Sequence, residues 1–452
     1  MAVKTGSIRR TLMCKDVPVV DFAYDPSRRV VTWRGRPENH DFAPIGATSS
    51  DGRLTRPGLS GWLTRRAIPE TRPRLKRVLG RLGLPSPEAL MLSGHGASLS
   101  DQYWFRPIGD TAMRWRDVSP FENGIGDLLG DALTGSADES ERAIARLRRD
   151  GLMASCSPDA ALCGNLPKRW VVDGGERVLV KGGKGRNRFQ EPLNEAIGSE
   201  LCSRVLLPGD YVRYRLVSSD QPGPAWLSAC PCMVDADHEL VSAHDVIRAW
   251  RCDNSRSRYE NLVDACLAHG ITDVRTSLSK MLVVDHVLAN WDRHWGNFGV
   301  IVNSETRRWE RVAPLYDMGE SLWCDRRATL ALSKPYRLEY PTPFLRDIHR
   351  QLGRFADSLD WLAPERLEGF DEHVREALSV TQVVACDDEW LDKVTQKVRE
   401  RMREVCEAAN DLAPKRLSVC IERGISLEEA VGRKPTPVDG AKDQERTSLG
   451  RG

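Results

Sequence analysis

Apolar residues recur along this chain with two periods, and the switches between them mark its elements. "RWVVDGGERVLVKGG" holds two short runs rich in Val and Leu around Gly174-Gly175, which predicts a two-residue β-hairpin. "QEPLNEAIGSELCSRVL" changes to helical spacing, with Leu193, Ile197, Leu201 and Val205 on one face. "DYVRYRLV" and "AWLSACPCMV" return to strand texture, so strands surround one packed helix in a small β-rich unit. "DVRTSLSKMLVVDHVLAN" predicts a long helix on which Leu278, Met281, Leu282, Asp285 and Leu288 share a face. It should end near Asn290 and deliver "NWDRHWGNFGV" into a loop. "FGVIVN" and "RWERVAPLYD" predict a second hairpin turned by "NSET", and beyond Pro341 the pattern is helical.

The first 135 residues or so have a different texture. "VPVVDFAY" and "RRVVTWRG" flank the turn-prone "DPS", and two helices are expected at "LSGWLTRRAI" and "TRPRLKRVLGRLG". The second helix carries Arg74, Lys76, Arg77 and Arg81, a basic face that reads as solvated. "LTGSADESERA" reads as a linker, and the final residues, 433–452, as a disordered tail.

Composition narrows the function classes. Forty per cent apolar and 29% charged residues suit a folded chain, and 66 basic against 64 acidic residues give no global case for nucleic acid. No run of about 18 apolar residues suggests a membrane span. Twelve scattered cysteines without a CxxC pair fit reduced thiols and a cytoplasmic location.

The candidate chemistry lies in three pieces. Lys181 ends the strand "RVLVK"; Asp292 and Asn297 stand five residues apart in the loop; Asp317 follows in "PLYDMGES". Phosphoryl transfer calls for this inventory: a Lys on nucleotide phosphates, an Asp to take a hydroxyl proton, and Asn plus Asp for magnesium. The Gly of "DMG" is expected to let the chain turn sharply after the ligand. Glu195 is the first choice of acid to orient Lys181, with Glu191 the alternative. "KGGKGRNR" follows Lys181 and is no Walker A loop, so it reads as a strand-to-helix turn. Phosphate donors are sought instead in "SCSPDAALCGNLPKRW", at Ser155, Ser157, Gly164 and Asn165, with Lys168 helping. His294 has no second His or Cys at ligand spacing, so it and Arg293 read as loop-bracing residues rather than a zinc site.

"DRHWGNFGV" followed by "VAPLYDMGES", with "LVK" and a "NE" helix upstream, resembles the HipA-like serine/threonine protein kinases, whose catalytic core is shared with phosphoinositide-kinase-like enzymes. The resemblance spans about residues 150–410. It implies an α+β, two-lobed protein-kinase-like fold, with a small β-rich lobe at about 150–240 and a larger, mainly helical lobe at 241–432. Residues 1–135 are then an additional N-terminal α/β module. It implies ATP and Mg2+ between the lobes, Asp292 as base, Asn297 and Asp317 as metal ligands, and Lys181 on phosphate. A protein substrate, self-phosphorylation and an antitoxin-like or regulatory partner follow by family analogy. Two other functions compete. Aminoglycoside-type small-molecule kinases share the Asp-to-Asn spacing but commonly carry His where this chain has Asn290. A non-catalytic kinase-fold module is disfavoured because all four core residues are intact.

Overall fold

The computed structural model describes residues 6–153, 157–219, 225–326, 343–345, 348–356, 359–380 and 388–422. The expected tail at 433–452 and the candidate donor Ser155 lie outside them. The chain is α+β, with three antiparallel sheets. A β-rich lobe and a mainly helical lobe follow an N-terminal module.

The N-terminal sheet has the order β3-β2-β1-β4. Its strands are β1 (Ile8–Cys14), β2 (Val17–Asp25), β3 (Val30–Arg34) and β4 (Tyr103–Pro107). Helices α1 (Arg56–Arg66), α2 (Leu75–Leu82), α3 (Pro87–Ser93), α4 (Trp115–Val118), α5 (Leu128–Thr134) and α6 (Ala137–Asp150) accompany it. The expected linker is therefore a helix. Ser136 and Glu139 close a capping box at its start, and Ala143, Ile144 and Leu147 bury its inner face in the module's core. The basic face of α2 is also paired: Arg77 and Arg81 both reach Glu141 of α6, and Arg74 donates to the Gly135 carbonyl.

The small lobe is a second sheet of order β5-β6-β8-β7. It comprises β5 (Lys168–Asp173), β6 (Glu176–Lys181), β7 (Arg215–Ser218) and β8 (Trp226–Pro231), with α7 (Glu191–Val205) between β6 and β7. Gly174 and Gly175, both at positive φ, make the β5–β6 turn. The strand expected over 210–217 begins only at Arg215. Upstream, the Tyr214 N–H donates to the Ser199 hydroxyl at 3.0 Å and the Val212 N–H to the Leu315 carbonyl at 2.8 Å, so this backbone bonds outside the β7–β8 ladder.

A third sheet, β11-β10-β9, comprises β9 (His238–Ser242), β10 (Gly299–Asn303) and β11 (Trp309–Val312). Helices α8 (Ala243–Ala249), α9 (Arg258–Ala268), α10 (Val274–Leu288), α11 (Ile348–Phe355), α12 (Phe370–Val380) and α13 (Asp388–Glu422) complete the larger lobe. Helix α10 is its axis. Leu278, Met281, Leu282, Val283, Val284, Val287 and Leu288 are all buried, so the helix is apolar around most of its circumference. Burying each of the larger side chains contributes about 1.5–3 kcal/mol. One core runs from α7 through α10 to α13, so both lobes are anchored to the helix that feeds the candidate loop.

Candidate active site

Helix α10 ends at Ala289, which takes a left-handed conformation at φ 53° and is fully buried. The turn starts the loop 290–298 inside the core. Arg293 holds it there. Its Nε lies 2.9 Å from Asp285 Oδ2 and its Nη2 3.0 Å from Asp285 Oδ1, a two-pronged pair with both residues buried. Nη1 donates to the Asn297 carbonyl at 2.6 Å and also to the Tyr316 carbonyl. One guanidinium thus ties the end of α10 to the loop and to the segment that carries Asp317. The Asn290 amide completes the set, donating to Asp285 at 2.8 Å and accepting from the Asp292 N–H at 3.1 Å.

His294 is exposed, and its Nδ1 accepts from the Gly296 N–H at 3.0 Å, a bond within the loop. Partial desolvation of the ring against the loop lowers its pKa, and the Arg293 charge adds to this, which favours the neutral ring that this bond requires. Trp295 packs against Phe298 and Phe344, with the Arg258 guanidinium 4.1 Å from its ring centroid.

Lys181, at the end of β6, meets two acids from distant segments. Its ammonium lies 3.0 Å from Glu195 Oε1 and 3.1 Å from Asp317 Oδ1. Burial alone would lower its pKa, but Asp317 and Glu195 outweigh that and hold it well above the usual lysine value. Burial alone would likewise raise Asp317, yet Lys181 and Lys168 hold it well below the usual carboxylate range. Glu195 also accepts from the Met318 N–H at 2.8 Å. Glu191, the alternative partner, instead accepts from Asn187 at 2.6 Å and from the Lys184 N–H at 3.1 Å.

The Asp317 turn differs from the one expected. Positive φ falls on Asp317 itself, at 60°, a conformation that Asp tolerates better than most residues. Gly319 serves close approach instead: a Cβ there would stand 3.2 Å from the Glu191 carbonyl oxygen. Asn194 locks the segment by donating to the Gly319 and Ser321 carbonyls, both at 2.8 Å.

Asp292 is half-buried at the mouth of this cluster. Burial pushes its pKa up to about 7, with Asp317 and Glu320 adding to the rise. Asn297 donates its amide N–H to the Asp292 carbonyl at 2.9 Å, which leaves its side-chain oxygen as the atom for a cation. The Asp317 side chain keeps 29% of its surface open. Among the described residues no three His, Cys, Asp or Glu side chains are grouped to hold a metal by themselves. One Asn and one Asp suit magnesium, which takes its remaining oxygens from water and phosphates.

The structure divides the expected phosphate donors. Gly164 and Lys168 come to the cluster: Lys168 lies opposite Lys181 in the β5–β6 ladder, and a Cβ on Gly164 would meet the Lys168 ammonium at 2.3 Å. Among the described residues no carboxylate is in ion-pair contact with Lys168. Burial, then the like charges of Lys181 and Arg72, lowers its pKa to about 8. Asn165 bonds outward to Thr71 of the N-terminal module. Ser157 caps a short 3-10 turn and lines a small cavity with His95 and Leu129, so its described contacts are with that module rather than with Lys181.

Several residues of the cluster carried no sequence signal. The Tyr214 hydroxyl accepts from the Asp317 N–H at 3.2 Å and from the Lys181 ammonium at 3.3 Å, and the Lys184 ammonium pairs with Glu320. Tyr214 and Asp317 are 103 positions apart, beyond any local pattern.

No family model and no curated protein matches the chain. Among solved structures it is similar to a Helicobacter pylori proinflammatory kinase, CtkA. The identity is 14% and the TM-score 0.42, over 55% of this chain and 94% of that one. Among the described residues no helix is long and apolar enough to cross a membrane.

Proposed function

We propose that this chain is an ATP- and magnesium-dependent phosphotransferase whose acceptor is a serine or threonine hydroxyl of a protein, as in HipA-like kinases. The supporting observation is the meeting of Lys181, Glu195 and Asp317 at 3.0–3.1 Å beside the loop of Asp292 and Asn297. A buried lysine between a helix acid and a metal-type aspartate is the arrangement that phosphate binding in kinases uses. Lys168 adds a cation with no carboxylate in contact among the described residues, which suits a polyanionic ligand.

In the proposed reaction Asp292 takes the proton of the acceptor hydroxyl as that oxygen bonds to the γ-phosphorus. The bond between the γ-phosphorus and the bridging oxygen breaks, and ADP leaves. A carboxylate poised near neutrality suits that task. Magnesium held by Asn297 and Asp317 would neutralise charge on the phosphates. Lys181, fixed by Glu195, orients them, while Arg293 and Asp285 keep the loop in register.

The test is purified protein with γ-labelled ATP and magnesium, alone and with lysate, with mass spectrometry of whatever carries the label. Phosphoserine or phosphothreonine on this chain or another protein is expected. Label on a small molecule would favour an aminoglycoside-type kinase. No magnesium-dependent rise in melting temperature with ATP would remove nucleotide binding itself.

A further inference from the structure

Arg72 belongs to the N-terminal module, yet every described hydrogen bond of its guanidinium goes to residues 162–168, which lead into β5. Its Nε donates to the Gly164 carbonyl at 2.8 Å, Nη2 to the Leu162 carbonyl at 2.6 Å and Nη1 to the Lys168 carbonyl at 3.4 Å. Its surface is only 3% exposed, and the adjacent Thr71 hydroxyl bonds to the Asn165 side chain. A planar, always-charged fork is thus spent on three carbonyls of one short loop.

The geometry has a consequence for the cleft. Gly164 stands at φ 99°, with the Lys168 ammonium packed where a Cβ would be. Among the described residues the N–H groups of Cys163, Gly164, Asn165 and Leu166 have no protein acceptor. With its carbonyls drawn to Arg72, the loop has those N–H groups and Lys168 left for an anion.

We infer that Arg72 is a positioning residue for the nucleotide: from the N-terminal module it holds loop 162–168 in the shape that presents its N–H groups and Lys168 to the phosphates of ATP. This rests on the kinase reading above and gives the N-terminal module a part in it, as a brace for the phosphate loop. Arg72 itself touches no substrate.

The test uses the full chain with Arg72→Ala, Arg72→Lys and Thr71→Val. Arg72→Ala should raise KM for ATP about tenfold or more while kcat changes less than about threefold, the signature of lost binding rather than lost chemistry. Arg72→Lys keeps the charge but not the fork and should remain impaired, whereas added ethylguanidinium should restore much of the affinity of Arg72→Ala. Amide hydrogen exchange of residues 157–168, measured without nucleotide, should quicken in Arg72→Ala. Should that variant fail to fold, Thr71→Val should show a smaller KM rise of about two- to threefold in the same direction. An unchanged KM or unchanged loop exchange overturns the brace, as does a loss of kcat that only follows a loss of melting temperature. Wild-type protein that binds no ATP overturns the kinase reading instead, and the nucleotide-free exchange measurement keeps the two failures apart.

Discussion

Lys181 Nζ and Glu195 Oε1 lie 3.0 Å apart, one at the last residue of β6 and the other in the second turn of α7. The bond holds a flexible ammonium at the point where the two lobes meet. A hydrogen bond to a charged group contributes about 1.5–3 kcal/mol. Glu195→Gln keeps the shape and removes the charge, so kcat/KM for ATP should fall about tenfold to a hundredfold. Steady-state kinetics against ATP read this directly. Unchanged kcat/KM would remove the pair from the account.

The Arg293–Asp285 pair sets the shape of the candidate loop 290–298 from below. Removing one partner leaves the other charge buried, at a cost of about 3–5 kcal/mol. Asp285→Ala should therefore lower the denaturant midpoint by that equivalent. Arg293→Lys should also lose the bonds to the Asn297 and Tyr316 carbonyls and with them most phosphate transfer. A midpoint equal to wild type for Asp285→Ala would contradict the arrangement.

Lys168 predicts a pH dependence. Its folded pKa of about 8 lies below the usual 10.5, so in the free protein the ammonium is lost as pH rises through 8. Phosphates need the charged form, so ATP affinity should fall above that pH, and binding there should take up a proton. Without ligand the sign reverses: the unfolded chain holds the proton more tightly between about 8 and 10.5, so stability from this residue rises with pH in that window. Calorimetric titrations at pH 7 and pH 9 check the first claim. Lys168→Met should bind ATP weakly at both, with the step gone.

Much of the fold was legible because its signals are local. The Gly174-Gly175 hairpin, the apolar faces of α7 and α10, and the β10–β11 pair all show in windows of a dozen residues. Helix α6 carries a local signal as well, since Ser136 and Glu139 form a capping box, but its polar outer face gives it the texture of a linker. Strands β4 and β9 depend on partners far along the chain, and nothing local marks them, whereas β1 forms a tight hairpin with its neighbour β2 that its mixed pattern of Arg and apolar residues does not announce. The site divides the same way. Asp292, Asn297, Asp317 and Lys181 are legible from order and spacing. The polar face of α7 finds its partners in residues 318–321, and Arg72 finds its own 90 or more positions away, so neither is visible in any window.

Phosphate transfer by two single-residue variants tests the central claim most directly. Wild type, Asp292→Asn and Asp317→Ala are incubated with γ-labelled ATP and magnesium, with folding verified by melting temperature. The account predicts incorporation by wild type, a loss of at least about a hundredfold in Asp292→Asn with ATP binding retained, and loss of both transfer and magnesium-dependent ATP binding in Asp317→Ala. Transfer at the wild-type rate by either variant would contradict it.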